Sequence, residues 1–266
     1  MRGVIVPVMK HFFAAALSLL LVSVLGAAIH TERLEYRDGD TVLEGFVAYD
    51  DSIAGPRPGI LVTHQWMGLT AYEIKRCEML ASLGYVAFAA DIYGKGIRPS
   101  TSGEAGGLAG KYKGDRSLLR RRMAAGLGVL KGLKACDPAK TVAIGYCFGG
   151  TASLELARSG ADLKGVVSFH GGLATPTPTD AAQIRGKVLA LHGADDPFVS
   201  VAEVAGFEKE MRGGKCDWQL VSYGGAVHSF THWTAGSDNS KGAAYNEKAD
   251  ARSWKAMKGF FEELFR

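Results

Sequence analysis

From about residue 30 onward the chain alternates short apolar runs with longer stretches of helical composition, and this alternation restricts the fold more than any other feature. Strands are expected at residues 42–48, 59–64, 85–90, 141–146, 165–170, 187–192 and 217–223. Most are short apolar runs, the pattern of strands covered on both faces. Helices are expected at about 71–83, 115–133, 149–158 and 201–211, with 245–265 closing the chain, and the glycine-rich segment 94–114 is expected as the longest loop. Strand and helix in alternation predict an α/β fold: one domain, residues 29–266, built on a mostly parallel, doubly wound sheet flanked by helices. The length of 266 residues and the 47% hydrophobic content suffice for one large core.

In an open sheet of this kind ligands lie beyond the carboxyl ends of the strands, so the residues just past each strand are the first candidates. They are Gln65, the segment 91–95, Cys147, His170 with Gly171, Asp195 with Asp196, and the turn holding His228. Residues 141–150 read TVAIGYCFGG: a buried strand, then Gly145-Tyr146-Cys147-Phe148-Gly149, then the start of a helix. This is the Gly-x-nucleophile-x-Gly elbow with cysteine in place of serine. Glycines two positions either side let the chain make a tight turn that pushes the thiol above the sheet, and a helix N-terminus there favours thiolate. A buried structural cysteine competes with this reading, as does a phosphate-binding loop. The loop reading fails because the spacing is not GxGxxG and the next strand ends in His170 rather than an acid.

Two later segments strengthen the nucleophile. Residues 189–199 read LALHGADDPFV and set acids just past a buried strand; Asp196 is expected to orient an imidazole, and Asp195 to cap the turn. Residues 223–230 read YGGAVHSF, a glycine-rich turn whose His228 can serve Cys147 as base. The order nucleophile, acid, base is that of the α/β-hydrolase fold.

With HQWMGL and DIYGKG upstream, the segments GYCFGG, HGADDPFV and GGAVHSF resemble the dienelactone hydrolase family over nearly all of the chain past Glu32. The resemblance implies an α/β-hydrolase fold and a cofactor-free, metal-free enzyme that opens small esters or lactones with a Cys147, His228, Asp196 triad. It also implies an oxyanion hole from the backbone N–H groups of Trp66 and Phe148. Well-studied members carry glutamate at the position of Gln65, where it pairs with the resting thiol, and arginines at the positions of Lys95 and His232, where they hold a substrate carboxylate. Lys95 lacks the bidentate fork and His232 is mostly neutral at pH 7, so a dicarboxylate-like dienelactone is not the expected substrate. Tyr93 and Trp233 are expected with Gln65, Lys95 and His232 in the substrate pocket. The alternative is a catalytically silent or redox-sensing thiol protein of the same fold that binds a ligand or partner.

The N-terminus reads as a signal peptide over residues 1–28: Lys10 and His11, an apolar run from Phe12 to Gly26, then Ala27 and Ala28. Cleavage after Ala28 removes Arg2 and Lys10 and no acid, lowering the net charge from +4 to +2. A periplasmic or secreted protein is expected, monomeric and off the membrane once cleaved. No basic run is dense enough to suggest nucleic acid; Arg120-Arg121-Arg122 reads as the solvated face of a helix. Export would permit a disulfide among Cys77, Cys136 and Cys216, or leave all three as free thiols. His64, His170 and His192 all end strands, but no acid is spaced to complete a zinc site with them.

Overall fold

A computed structural model describes Met1, Gly3 and residues 29–266, so the expected signal peptide lies almost wholly outside the described residues. An eight-stranded sheet organises the chain. It opens with a hairpin, β1 (Ile29–Asp38) against β2 (Thr41–Asp50), turned at Gly39 with φ +56°. β3 (Arg57–Thr63) leads to α1 (Ala71–Ala81) and β4 (Val86–Ala90), and α2 (Ser102–Gly114) and α3 (Arg116–Gly132) lead to β5 (Cys136–Tyr146). Then come α4 (Phe148–Arg158), β6 (Gly165–Phe169), β7 (Lys187–Gly193), α5 (Val201–Gly213), β8 (Trp218–Tyr223) and α6 (Glu247–Leu264). The spatial order is β1-β2-β4-β3-β5-β6-β7-β8. The hairpin and the β2–β4 pair are antiparallel, and every pair from β4 to β8 is parallel.

The two-residue period of the strands divides the core into two layers. Leu61, Phe88 and Ala143 face the layer with Met123 and Leu130 of α3 and Phe207 of α5; Ile60, Val62 and Ile144 face the other, with Leu80 of α1 and Phe260 and Phe261 of α6. Burial on both faces is why these strands read as unbroken apolar runs. The strand order reverses between β3 and β5, so the crevice beyond their carboxyl ends is flanked by Gln65 and Trp66 on one side and Cys147 on the other.

Two sequence expectations are corrected. β1 was not expected: IHTERLEYRD is an edge strand with mostly exposed or half-buried side chains, so it lacks an apolar run. Segment 94–114 is not one loop, because its second half is α2. Thr101 caps it by accepting from Glu104 N–H at 3.2 Å, and Ala105, Ala109 and Tyr112 form its buried stripe. The two alanines of that stripe and five glycines conceal the helical period.

Candidate active site

Cys147 sits between β5 and α4 with φ +55° and ψ −116°, a conformation rarely adopted by a residue with a side chain. The flanking glycines are there for space. A Cβ on Gly145 would stand 2.0 Å from the Gly149 carbonyl oxygen, and one on Gly149 would stand 2.2 Å from the Thr63 carbonyl oxygen. The turn is closed by the Cys147 N–H, which donates to the Phe169 carbonyl at 3.0 Å and faces His170 Nδ1 at 3.2 Å.

His228 reaches the thiol from the loop after β8. Its Nε2 lies 3.1 Å from Cys147 Sγ and its Nδ1 2.8 Å from Asp196 Oδ2. The other Asp196 oxygen accepts from Phe198 N–H at 2.8 Å, and Asp195 instead accepts from Gly225 N–H at 3.0 Å at the base of the His228 loop. A short bridge braces that loop: His228 N–H donates to the Gly242 carbonyl, and Ala244 N–H returns to the His228 carbonyl. Burial raises the Cys147 thiol, but the charge and hydrogen bond of His228, the Phe148 N–H and Lys113 together bring it below its ordinary value. Burial opposes charge on His228 as well, yet Cys147 and Asp196 push its imidazole up to about 10. Both shifts favour the thiolate–imidazolium form of the pair, a form suited to attack on an electrophilic carbon followed by proton delivery to the leaving group.

A cavity of about 1200 Å³ opens over this chain of side chains. Trp66, Met67, Phe148, Phe198, Val199 and Trp233 give it apolar walls, and its volume exceeds the roughly 300–1,000 Å³ usual for small-molecule pockets. Among the described residues, none accepts a hydrogen bond from Trp66 N–H.

Residues 43–265 match the dienelactone hydrolase family. The chain belongs to that family. Membership makes it a carboxylic ester hydrolase. It is similar to a dienelactone hydrolase-like promiscuous phosphotriesterase from metagenomic libraries, with 42% identity over 91% of this chain and all of that one, at a TM-score of 0.86. A structure designated m3DLH is 39% identical over 91% of this chain and all of its own, at a TM-score of 0.87. A protein of Aquifex aeolicus (strain VF5) named "Putative carboxymethylenebutenolidase" is 26% identical over 239 residues, 88% of this chain and 99% of its own length.

The hydrolase places its other candidate residues unevenly. Gln65, His232 and Trp233 line the cavity, but Lys95 and Tyr93, both expected there, do not. Lys95 turns to the surface and pairs with Glu35 of the edge strand β1. Tyr93 stands behind the wall, donating to the Trp66 carbonyl at 2.9 Å and packing against Phe148. Burial, and then Arg76, lower His232, so it adds no charge at neutral pH. Two of the three strand-end histidines, His64 and His170, have structural partners, whereas His192 Nδ1 is buried without one among the described residues. Burial lowers His64 to about 4, and its ring spans the Gln65 carbonyl at 2.6 Å and the Ile92 N–H at 3.2 Å. His170 bridges Cys147 N–H and Thr231 Oγ1. All four cysteines are free.

Several residues around the site escaped the sequence reading. Arg76 of α1 is buried against Tyr72, Tyr146, Trp233 and Trp254, pairs with Asp250 of α6 at 2.6 Å, and donates to the Thr231 carbonyl at 3.1 Å. It thereby ties the segment following His228 to two helices. Glu73 is fully buried and lines the cavity. Its one sequence signal is the spacing Thr70-x-x-Glu73, that of a capping box.

Proposed function

We propose that the protein hydrolyses small esters or lactones through Cys147 as nucleophile, His228 as acid and base, and Asp196 as the group that orients His228. The reading rests on the hydrogen-bond chain Asp196–His228–Cys147, with contacts of 2.8 and 3.1 Å, at the floor of the cavity. The thiolate attacks the ester carbonyl carbon, and the negative charge on its oxygen is met by the N–H groups of Phe148 and Trp66. Collapse of the tetrahedral adduct breaks the bond to the alkoxy oxygen, which takes the proton from His228 Nε2. The thioester left on Cys147 is then cleaved by water, whose proton passes to His228 as the thiolate leaves.

Lys95 lies outside the cavity and His232 is neutral, so neither holds a substrate carboxylate as the resemblance would require; the cations that line the cavity are instead Lys75, Lys113 and Lys241. Turnover of nitrophenyl esters and lactones by the purified protein tests the reading. Cys147→Ala should abolish turnover with the melting temperature nearly unchanged, and Asp196→Asn should cost more than Asp195→Asn. Full turnover by the alanine variant on a clean background would end the nucleophile assignment.

The 42% identical neighbour favours a second reading. Phosphotriesters present a tetrahedral electrophile to the same thiolate, and the cavity is wide enough to admit three substituents. A diethyl nitrophenyl phosphate triester included in the panel tests it by repeated release of nitrophenol rather than a single burst.

We propose further that residues 1–28 direct export. Cleavage after Ala28 leaves every residue of β1 in place, since that strand begins at Ile29.

A further inference from the structure

Trp66 N–H belongs to the peptide unit joining Gln65 to Trp66, so its direction is set by whatever holds that unit. The unit is planar and trans, which points its N–H opposite to the Gln65 carbonyl. That carbonyl accepts from Gly68 N–H at 3.2 Å and from His64 Nδ1 at 2.6 Å. On the preceding side, Gln65 N–H donates to Glu73 Oε1 at 3.2 Å. The other carboxylate oxygen, Oε2, accepts from Thr70 N–H at 2.8 Å and Thr70 Oγ1 at 2.7 Å. A helix cap needs only this second oxygen; the first is turned back onto the loop that carries Trp66.

We propose that Glu73 is a positioning residue for the oxyanion hole: its carboxylate fixes both ends of segment 65–70 and so aims Trp66 N–H at the developing oxyanion. The inference rests on the hydrolase reading above. Glu73 touches no reacting atom, and its place at 0% exposure in the wall of the cavity fits a buried anchor. Its geometry uses both oxygens as acceptors. An amide has one acceptor end, so Glu73→Gln must turn its NH2 toward either the Thr70 donors or the Gln65 N–H and lose that anchor. Glu73→Asp keeps the negative charge at the start of α1 but is one methylene too short to reach both Thr70 and Gln65.

The test is the ratio of kcat/KM for a nitrophenyl ester to that for its thiono analogue, in which sulfur replaces the carbonyl oxygen. Sulfur is a poor acceptor and fits an oxyanion hole badly, so an aimed N–H favours the oxygen ester. The ratio is measured on one sample and does not depend on how much of the protein is folded. Relative to the wild type it should fall about tenfold in Glu73→Gln, part of the roughly 100-fold to 1,000-fold that loss of one oxyanion donor costs. Glu73→Asp should show a similar fall, and it covers the case in which the amide variant does not fold. A wild-type ratio retained in the folded variants overturns the role of Glu73 and leaves the hydrolase reading standing. A wild type that does not discriminate between the two substrates overturns the oxyanion hole itself, and this inference with it.

Discussion

Cys147 and His228 displace each other in opposite directions, the thiol downward and the imidazole up to about 10. The sign follows from the linkage: a thiolate stabilises the imidazolium beside it, and the imidazolium in turn stabilises the thiolate. The imidazole at about 10 keeps its proton through neutrality and loses it only as pH rises through about 10. Hydrolysis should hold a plateau around neutral pH and fall on the alkaline side near that value. Gln65 adds no like charge to the site, since its amide is neutral and lines the cavity. Iodoacetamide should accordingly label Cys147 at about pH 6, where an ordinary thiol is almost wholly protonated, and Gln65→Glu should slow that labelling by repelling the thiolate. Equal labelling rates for the two proteins between about pH 5 and 9 would free position 65 of any control over the charge of Cys147.

The same substitution should have opposite effects in two helices. In α4 a methyl group on Gly149 meets the Thr63 backbone carbonyl, which belongs to the central strand β3 and cannot move aside. Gly149→Ala is expected to cost about 4 kcal/mol or more, or to prevent folding. In α2, Gly107 and Gly110 are exposed, and an added methyl group meets nothing within 4 Å. Alanine at each should stabilise by about 0.5–1 kcal/mol by restricting the unfolded chain. Thermal melting of the three single variants checks the contrast, and a lower midpoint for Gly107→Ala or Gly110→Ala would contradict the helical assignment of 102–114.

At the scale of the whole molecule, the hairpin and six parallel strands form one sheet with its chemistry gathered along a single rim. Export predicts a mature protein that begins near Ile29, found outside the cytoplasm; N-terminal sequencing of protein from the native host decides it. An intact Met1 terminus in the soluble cytoplasmic fraction would refute it.

What the sequence determined by itself is local in origin. Apolar runs mark strands buried on both faces, because the two-residue period cannot hide such a run any other way. The helix α2 reads as loop in the sequence, because glycines at five of its thirteen positions mask it. Cys147, Asp196 and His228 were legible because each requires a particular local frame: an elbow with room for no Cβ at 145 or 149, an acid just past a strand, a histidine on a glycine-rich turn. Tertiary structure alone decided the rest. Lys95 follows a strand as a cavity residue would, yet it faces Glu35, sixty residues away and in a strand without an apolar signature. Tyr93 supports Trp66 from behind rather than facing the cavity. Arg76 meets Asp250, 174 residues away, and Glu73 closes on Gln65 across a turn. Side-chain direction and long-range pairing depend on which elements pack together, and burial, which makes these polar partners necessary, exists only once the chain has folded.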